Sequence, residues 1–157
     1  QPPAAPYEVS VIPQPKHSYI PAPLRRAPLP GPFTVQLVRV VDGDTFEGRL
    51  RVWFGQEITT LIRLRNVDAP ELKAGCAAEA RLAQEARQTL EDILHTGTIM
   101  LTDISLDKYA GRIIAGVSIL AKAGDLGETA IDDVGHLLLA GGYARSYQGG
   151  RRKDWCS

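Results

Sequence analysis

Three clusters of charged residues in this sequence have the types and spacing that phosphate chemistry needs. They occupy residues 41–45 (VDGDT), residues 63–71 (RLRNVDAPE) and residues 107–112 (DKYAGR). Each cluster alone has an ordinary structural explanation, because Asp-Gly-Asp-Thr is a common turn sequence and carboxylates often precede helices. Together, however, they supply both carboxylates and guanidinium groups.

The carboxylates in these clusters predict a site for a hard divalent cation. Ca²⁺ prefers oxygen ligands, and Asp44, Asp68 and the backbone carbonyl of Ala69 could supply three of them. So few protein ligands would leave room for water and for a phosphate oxygen. Because Ca²⁺ acidifies bound water only weakly, a separate general base helps, and Glu71 follows Asp68 closely enough to serve.

The arginines complete a set that could act on a phosphodiester. Attack on the phosphorus builds negative charge on the phosphate oxygens, which a guanidinium meets with two parallel hydrogen bonds. Arg63 and Arg112 come from two different strand regions. Preorganised positive groups of this kind contribute roughly 3 kcal/mol each to transition-state stabilisation.

The elements that must position these clusters are predicted as three strands, a helix, two strands and a second helix. Apolar patterning and turn residues predict strands over residues 33–41, 45–54, 58–67, 99–104 and 113–120. Trp53 is expected to pack in the barrel. The predicted fold class is α+β, mainly β: a five-stranded OB-type β-barrel with two to three flanking helices.

Composition and spacing predict the helices. Residues 77–94 are rich in Ala, Glu, Gln, Arg and Leu, and their apolar residues fall at helical spacing. Residues 131–139 form a second amphipathic pattern that ends at a Gly-Gly pair. Its inward-facing residues are expected to be Ile131, Val134, Leu137 and Leu138.

The first 32 residues differ in composition from the rest of the chain. They hold ten of the eleven prolines, which remove backbone donors and disfavour both helices and inner strands. We therefore divide the chain into a Pro-rich arm over residues 1–32, extended or disordered, and one folded domain over residues 33–157.

The net charge and the cysteine content restrict the binding partners and the cellular location to be expected for this protein. The 18 basic and 18 acidic residues cancel, so a nucleic acid would be held by a local cleft rather than by bulk positive charge. Cys76 and Cys156 could pair in an oxidising compartment, although two free thiols are the alternative. The cysteines, and a sequence that begins at Gln1 rather than Met, predict a secreted or periplasmic protein whose signal peptide has been removed. No apolar run is long enough to span a bilayer.

In order and spacing, the three clusters resemble the staphylococcal nuclease (thermonuclease) family over about residues 33 to 147. The resemblance implies an OB-type barrel with Ca²⁺-dependent phosphodiesterase activity on DNA and RNA. It assigns Asp44, Asp68 and the Ala69 carbonyl to Ca²⁺, Glu71 to the attacking water, and Arg63 and Arg112 to the phosphate. It also implies that Asp42 lies beside the metal and that Lys108 and Tyr109 line the nucleotide pocket.

Two departures from the family pattern concern the proposed phosphate and metal groups. The usual Asp-Lys-Tyr-Gly-Arg run here contains an additional Ala110. That insertion could turn Arg112 to the other face of its strand unless Gly111 absorbs it. Ala69 stands where the family often has Thr, which is tolerable if only the carbonyl binds metal.

Other departures concern the C-terminal region. The family's third helix is not evident, and the Cys76–Cys156 pair could replace it as a fastening. The base-stacking tyrosines align poorly, which leaves Tyr143 and Tyr147 as candidates for either substrate binding or packing. The basic residues 151–153 could steer a nucleic-acid backbone or form a solvated tail.

Three functions are therefore weighed. The first is a metal-dependent nuclease acting on DNA and/or RNA, with a preference for unpaired strands, because a shallow OB face accepts splayed bases more easily than a rigid duplex. The second is a non-catalytic OB-fold module that binds a nucleic acid or another partner; the retained carboxylates and arginines argue against it. The third is an adaptor that works through its Pro-rich arm. A monomer is the expected state, and the choice between endonuclease and exonuclease action stays open.

Overall fold

The computed structural model describes residues 31–123 and 128–156. The predicted Pro-rich arm falls almost entirely on residues outside this part. The elements in chain order are β1 (Phe33–Asp42), β2 (Thr45–Trp53), β3 (Gln56–Leu64), β4 (Val67–Asp68), α1 (Ala77–Leu94), β5 (Thr98–Leu106), β6 (Arg112–Ala123), β7 (Glu128–Asp133), α2 (Val134–Ala140) and β8 (Arg145–Ser146). Within the described ranges, neither helix has the length and apolar character needed to cross a membrane.

Five of these strands close into a barrel. β1, β2 and β3 form an antiparallel meander, β3 pairs in parallel with β6, and β5 pairs antiparallel with both β6 and β1. β7 pairs antiparallel with the second half of β6, and β4 forms a separate two-stranded ladder with β8. The predicted fold class, a mainly β OB-type barrel with flanking helices, is confirmed.

The core fills the barrel and the space beneath the helices. Ala83, Ala86, Leu90 and Leu94 recur at helical spacing on α1 and are buried, and α1 packs against β1 and α2. The bounds of this helix are those that the sequence predicts. The largest fully buried apolar side chains come from strands and helices alike: Phe46, Ile62, Leu64, Val67, Leu90, Leu101, Ile119, Val134 and Leu138.

The second helix is shorter than predicted. Residues 131–133 belong to β7, where Ile131 pairs with Leu120 of β6, and α2 begins only at Val134. The Asp133 side chain marks this start by accepting the His136 N–H at 2.6 Å. Val134 and Leu138 face inward as expected, whereas the inward placement of Ile131 and Leu137 is wrong, because both are exposed.

Trp53 is also placed differently from its prediction. It lies at the β2–β3 hairpin with 69% of its surface exposed, next to Phe54 at 89%. The prediction that Trp53 packs in the barrel is wrong, since strand alternation ceases to govern burial where β2 runs past the barrel wall into its turn.

The C-terminal tail, residues 147–156, is joined to the body of the domain at both ends. The β4–β8 ladder pairs Asp68 with Arg145, and the Tyr147 N–H donates to the Asn66 carbonyl at 2.9 Å. At the far end, Cys156 forms a disulfide with Cys76. Because Cys76 caps the N-terminus of α1, the disulfide fastens the end of the tail to the start of the long helix.

Candidate active site

The β1–β2 turn presents the first carboxylates. Asp42 ends β1 and pairs with Thr45, which begins β2. Between them, a Cβ on Gly43 would lie 2.6 Å from the Ala86 Cβ and 2.9 Å from the Ala69 Cβ. Only glycine fits this close approach, so the turn is packed between α1 and the loop that follows β4.

Asp44 and Asp68 are buried carboxylates, with 6% and 4% of their surfaces exposed. Asp44 Oδ1 accepts a hydrogen bond from Thr45 Oγ1 at 2.8 Å, and its Oδ2 accepts one from the Ala69 N–H at 3.1 Å. Asp68 lies on β4 beside the same loop. A buried charge is costly unless it is paired, so these two carboxylates require nearby cations.

Arg63 supplies one of those cations from β3. Its Nη2 atom lies 3.5 Å from Asp68 Oδ1 and 3.9 Å from Asp44 Oδ2, and it also donates to the Val67 carbonyl at 3.4 Å. The guanidinium carbon lies 5.2 Å from the centre of the Tyr147 ring. Arg63 therefore bridges the two buried carboxylates and faces the C-terminal tail.

Arg152 of the C-terminal tail supplies the other cation. Its Nε donates to Asp68 Oδ1 at 2.7 Å, its Nη2 donates to the Ala69 carbonyl at 2.8 Å, and its Nη1 pairs with Glu71 Oε1. Carboxylates and guanidinium groups thus alternate across the site, in the order Asp44, Arg63, Asp68, Arg152 and Glu71.

The β5–β6 loop brings the third cluster to the same place. Arg112, the first residue of β6, pairs through Nε with the Asp107 carboxylate and lies 4.8 Å from the centre of the Tyr109 ring. Lys108 Nζ lies 5.1 Å from the centre of the same ring. The additional Ala110 is accommodated in the turn, where Gly111 has a φ of +76°.

These side chains line one open cavity of about 670 Å³. Asp68 lines a smaller pocket next to it, formed partly by the C-terminal tail. Among the residues proposed from the sequence, Tyr143 is not brought to the cavity; it packs against the hydrophobic core instead. Nine proposed residues do line it: Asp42, Asp44, Arg63, Ala69, Glu71, Lys108, Tyr109, Arg112 and Tyr147.

A family model described as "Staphylococcal nuclease homologue" matches residues 61–155, well over half of the chain. The chain belongs to the staphylococcal nuclease homologue family. The search of curated proteins returned no match. Membership indicates a nuclease-like function and nucleic-acid binding. The matched range contains Arg63, Asp68, Glu71 and Arg112, and it also contains Arg152 in the C-terminal tail.

The donor chemistry of this family member fits a hard cation. Asp44, Asp68 and the Ala69 carbonyl offer oxygen atoms only, and guanidinium groups already hold oxygens of all three residues. In the ranges that the structure describes, one group of three candidate ligand atoms lies within 4.8 Å, formed by Cys76, Glu79 and Cys156. Both sulfurs of that group are in the disulfide, so the oxygen set remains the better candidate.

Asp42 is a half-buried residue that lines the cavity of this nuclease-family site. Burial raises the pKa of its carboxyl, and the neighbouring Asp44 charge raises it further. Arg152, Arg112 and Arg87 act against these effects and lower the pKa. The net shift is upward, so Asp42 takes up a proton more readily than an exposed aspartate does.

Sequence reasoning missed two residues of the site. Asp107, with only 6% of its side chain exposed, orients Arg112; its place at the start of the Asp-Lys-Tyr run was visible, but its partner was not. Arg152 was only one of three basic residues near the end of the chain. Nothing local distinguishes it, because its contacts depend on the ladder and the disulfide that place the tail.

Proposed function

We propose that the protein is a Ca²⁺-dependent phosphodiesterase that hydrolyses DNA, preferring unpaired strands, with RNA as a further substrate. The observation that carries the proposal is the shared cavity, in which Arg63 and Arg112 face Asp44 and Glu71. Two arginines from different strands and a carboxylate base are the groups that phosphodiester hydrolysis needs around one phosphate.

Asp44, Asp68 and the Ala69 carbonyl are the residues that would hold Ca²⁺. The bound cation would supply positive charge for the phosphate and a position for water. Thr45 and the Ala69 N–H hold the Asp44 carboxylate in one orientation through the hydrogen bonds described above. That support keeps the carboxylate from reorienting when the charge of the site changes.

Glu71 would take a proton from the attacking water. Its side chain is 55% exposed at the cavity wall, in contrast to the buried Asp68, so water reaches it. As a water oxygen bonds to phosphorus, its proton passes to Glu71 and the bond to the leaving oxygen breaks. The leaving oxygen then takes a proton from solvent.

Arg63 and Arg112 would bind the phosphate oxygens and stabilise the charge that builds on them. Both side chains line the cavity, and both are partly buried, at 15% and 25% exposure. In that environment a guanidinium is less screened by water than it would be at an open surface. Asp107 orients the Arg112 side chain, and Asp68 and Asp44 orient that of Arg63. Both guanidinium groups are therefore already ordered before substrate binds.

The rim of the cavity supports the preference for unpaired strands. Tyr109 is 56% exposed there, and Tyr147 lines the same cavity beside Arg63. Exposed tyrosine rings stack on bases that are free of a duplex. With a net charge of zero, the chain lacks the bulk positive charge that would hold duplex DNA non-specifically.

The disulfide supports the location that goes with this function. A bond between Cys76 and Cys156 persists in oxidising compartments, so we propose a secreted or periplasmic protein. Fractionation of source cells, with an antibody to this chain, tests it. Recovery in the reducing cytoplasmic fraction alone would contradict this location.

Digestion of single-stranded DNA, duplex DNA and RNA by the purified protein tests the function. Each substrate is incubated with Ca²⁺, with Mg²⁺ and with chelator. Ca²⁺-dependent cleavage should fall by about 10²-fold or more in Glu71→Gln and Arg63→Ala. Glu85→Gln and Arg81→Ala, which change exposed residues of α1, are the matched controls and should cleave normally.

One observation favours a second candidate, a non-catalytic nucleic-acid-binding module. Arg63 and Arg152 pair with the acidic groups of the site. A protein that keeps these pairs permanently would bind strands but would not cut them. Retained binding of single-stranded DNA with no cleavage under any cation would support the module and contradict the nuclease.

A further inference from the structure

We propose that Arg152 competes with the divalent cation for one set of oxygen atoms, so that cation binding requires the Arg152 side chain to leave. The inference rests on the proposed function only for the identity of the cation ligands. Its subject is a contact within the chain itself, made by a residue that the sequence places in an unremarkable basic tail.

The first argument is that the guanidinium uses all its nitrogen atoms on this one site. Nε, Nη2 and Nη1 contact Asp68 Oδ1, the Ala69 carbonyl and Glu71 Oε1, respectively. These are two of the three proposed Ca²⁺ ligands and the proposed base. Ca²⁺ binds its oxygen ligands at about 2.3–2.6 Å, so ion and guanidinium cannot occupy the same side of these oxygens.

The second argument is that the tail around Arg152 is fixed on both sides. On the N-terminal side, Tyr147 Oη donates to the Gly150 carbonyl at 2.8 Å. On the C-terminal side, Arg145 Nη1 donates to the Asp154 carbonyl at 2.8 Å, and its guanidinium lies 3.8 Å from the centre of the Trp155 ring.

The disulfide adds a covalent attachment only four residues beyond Arg152. A short tether of this kind keeps the guanidinium at a high effective concentration beside the site. The Arg152 contact is therefore a property of how the C-terminal tail is attached, and not of a freely moving surface side chain.

The consequence is that one residue controls two groups together. While Arg152 is in place, the Glu71 carboxylate is engaged with a donor and the Asp68 and Ala69 oxygens are covered. When a cation displaces it, the ligands and the base become available at once. The apparent cation affinity is then lowered by the fraction of molecules in which the site is free of Arg152, about tenfold if one molecule in ten is free.

Calorimetric titration of the intact, oxidised protein with CaCl₂ tests the competition without relying on activity. Arg152→Gln should bind Ca²⁺ about tenfold more tightly than the unaltered protein. Arg151→Gln removes the same charge from the neighbouring exposed position, and its affinity should change less than about twofold. Arg152→Lys keeps the charge but lacks the planar three-nitrogen contact, and should fall between the two.

A second measurement follows Arg152 itself. The Nε–H resonance of Arg152, assigned by its loss in Arg152→Lys, should shift or vanish as Ca²⁺ saturates the protein. Equal or weaker Ca²⁺ binding by Arg152→Gln, an unchanged resonance at saturation, or no Ca²⁺ binding by either protein would each overturn the proposal. Tighter binding without cleavage of any substrate would support it while contradicting the nuclease function. Ca²⁺-dependent cleavage together with equal Ca²⁺ affinities of Arg152→Gln and the unaltered protein would support the nuclease function and overturn the competition.

Discussion

The two halves of the site are held in different ways. The barrel half consists of Asp44, which is buried in the turn before β2, and Arg63, which is partly buried on β3. The tail half consists of Arg152 and the residues that attach it, where Arg152 is 36% exposed and lies outside any strand. The barrel half is fixed by the fold itself, whereas the tail half depends on a few contacts and one disulfide. Rigid carboxylates and a covering side chain that is held less firmly can therefore belong to one site.

Removal of the disulfide should have the largest effect, and it acts on the tail half. The double variant Cys76→Ser, Cys156→Ser opens a loop that separates the two residues by 80 positions, so the free energy of unfolding should fall by about 4 kcal/mol. Urea denaturation measures this loss. Because the tail is freed, Ca²⁺ affinity should rise at the same time. If the double variant loses the expected stability but binds Ca²⁺ less tightly than the unaltered protein, the tail supports the site instead of competing for it.

The barrel half is tested by a change that keeps its charge. Arg63→Lys retains a cation near Asp44 and Asp68 but loses the planar fork that matches a phosphate. We expect kcat/KM for single-stranded DNA to fall by about 10²-fold, with little change in the thermal midpoint. Arg49→Lys, on the exposed side of β2, is the matched control. Equal activity of Arg63→Lys and the unaltered protein would mean that Arg63 serves only to neutralise the buried carboxylates.

Gly43→Ala tests how rigid the barrel half is. The added Cβ would meet Ala86 and Ala69 at distances that no native contact shows, and relieving this overlap should cost about 1–3 kcal/mol of stability. Gly55→Ala is a control in which nothing lies near the added atom and only the positive φ of +69° opposes the change, costing about 1 kcal/mol. If thermal denaturation ranks the two variants in the opposite order, the β1–β2 turn is looser than its packing indicates.

The sequence was sufficient to predict the barrel half and insufficient for the tail half. Residues in strands or tight turns can be recognised from the sequence immediately around them. Asp44 is an example, because it lies between one predicted strand and the Thr that begins the next. The five strands and α1 follow from patterns of the same short range. Asp68 and Glu71 were proposed because oxygen ligands and a nearby base fit a hard cation, and because their run resembles the family pattern.

The remainder depended on contacts between distant parts of the chain. Arg152 reaches Ala69 across 83 positions, and no pattern of spacing encodes that distance. Tyr143 and Tyr147 looked equivalent in sequence, yet one packs on the core and the other lines the cavity. Ile131 was misplaced because a short apolar run fits a strand as well as a helix, and the pairing of β7 with β6 decides between them.

The smallest expected effect is a change in the pKa of Asp42 when Arg152 of the tail half is replaced. Its pKa is raised in the folded protein, so the folded state binds the proton more tightly than the unfolded state, whose carboxyl titrates near 3.8. The charged carboxylate therefore opposes folding: its contribution to stability falls as pH rises from 3.8 to the raised pKa, and stays at that lower level above it.

Arg152 lowers the pKa of Asp42, so Arg152→Gln should raise it further, as measured by ¹³C NMR titration of the Asp42 carboxyl. Arg151→Gln is again the control. An Asp42 pKa that is the same in Arg152→Gln and in the unaltered protein would mean that the Arg152 guanidinium does not lie close enough to Asp42 to act on its charge, and that the two halves act separately.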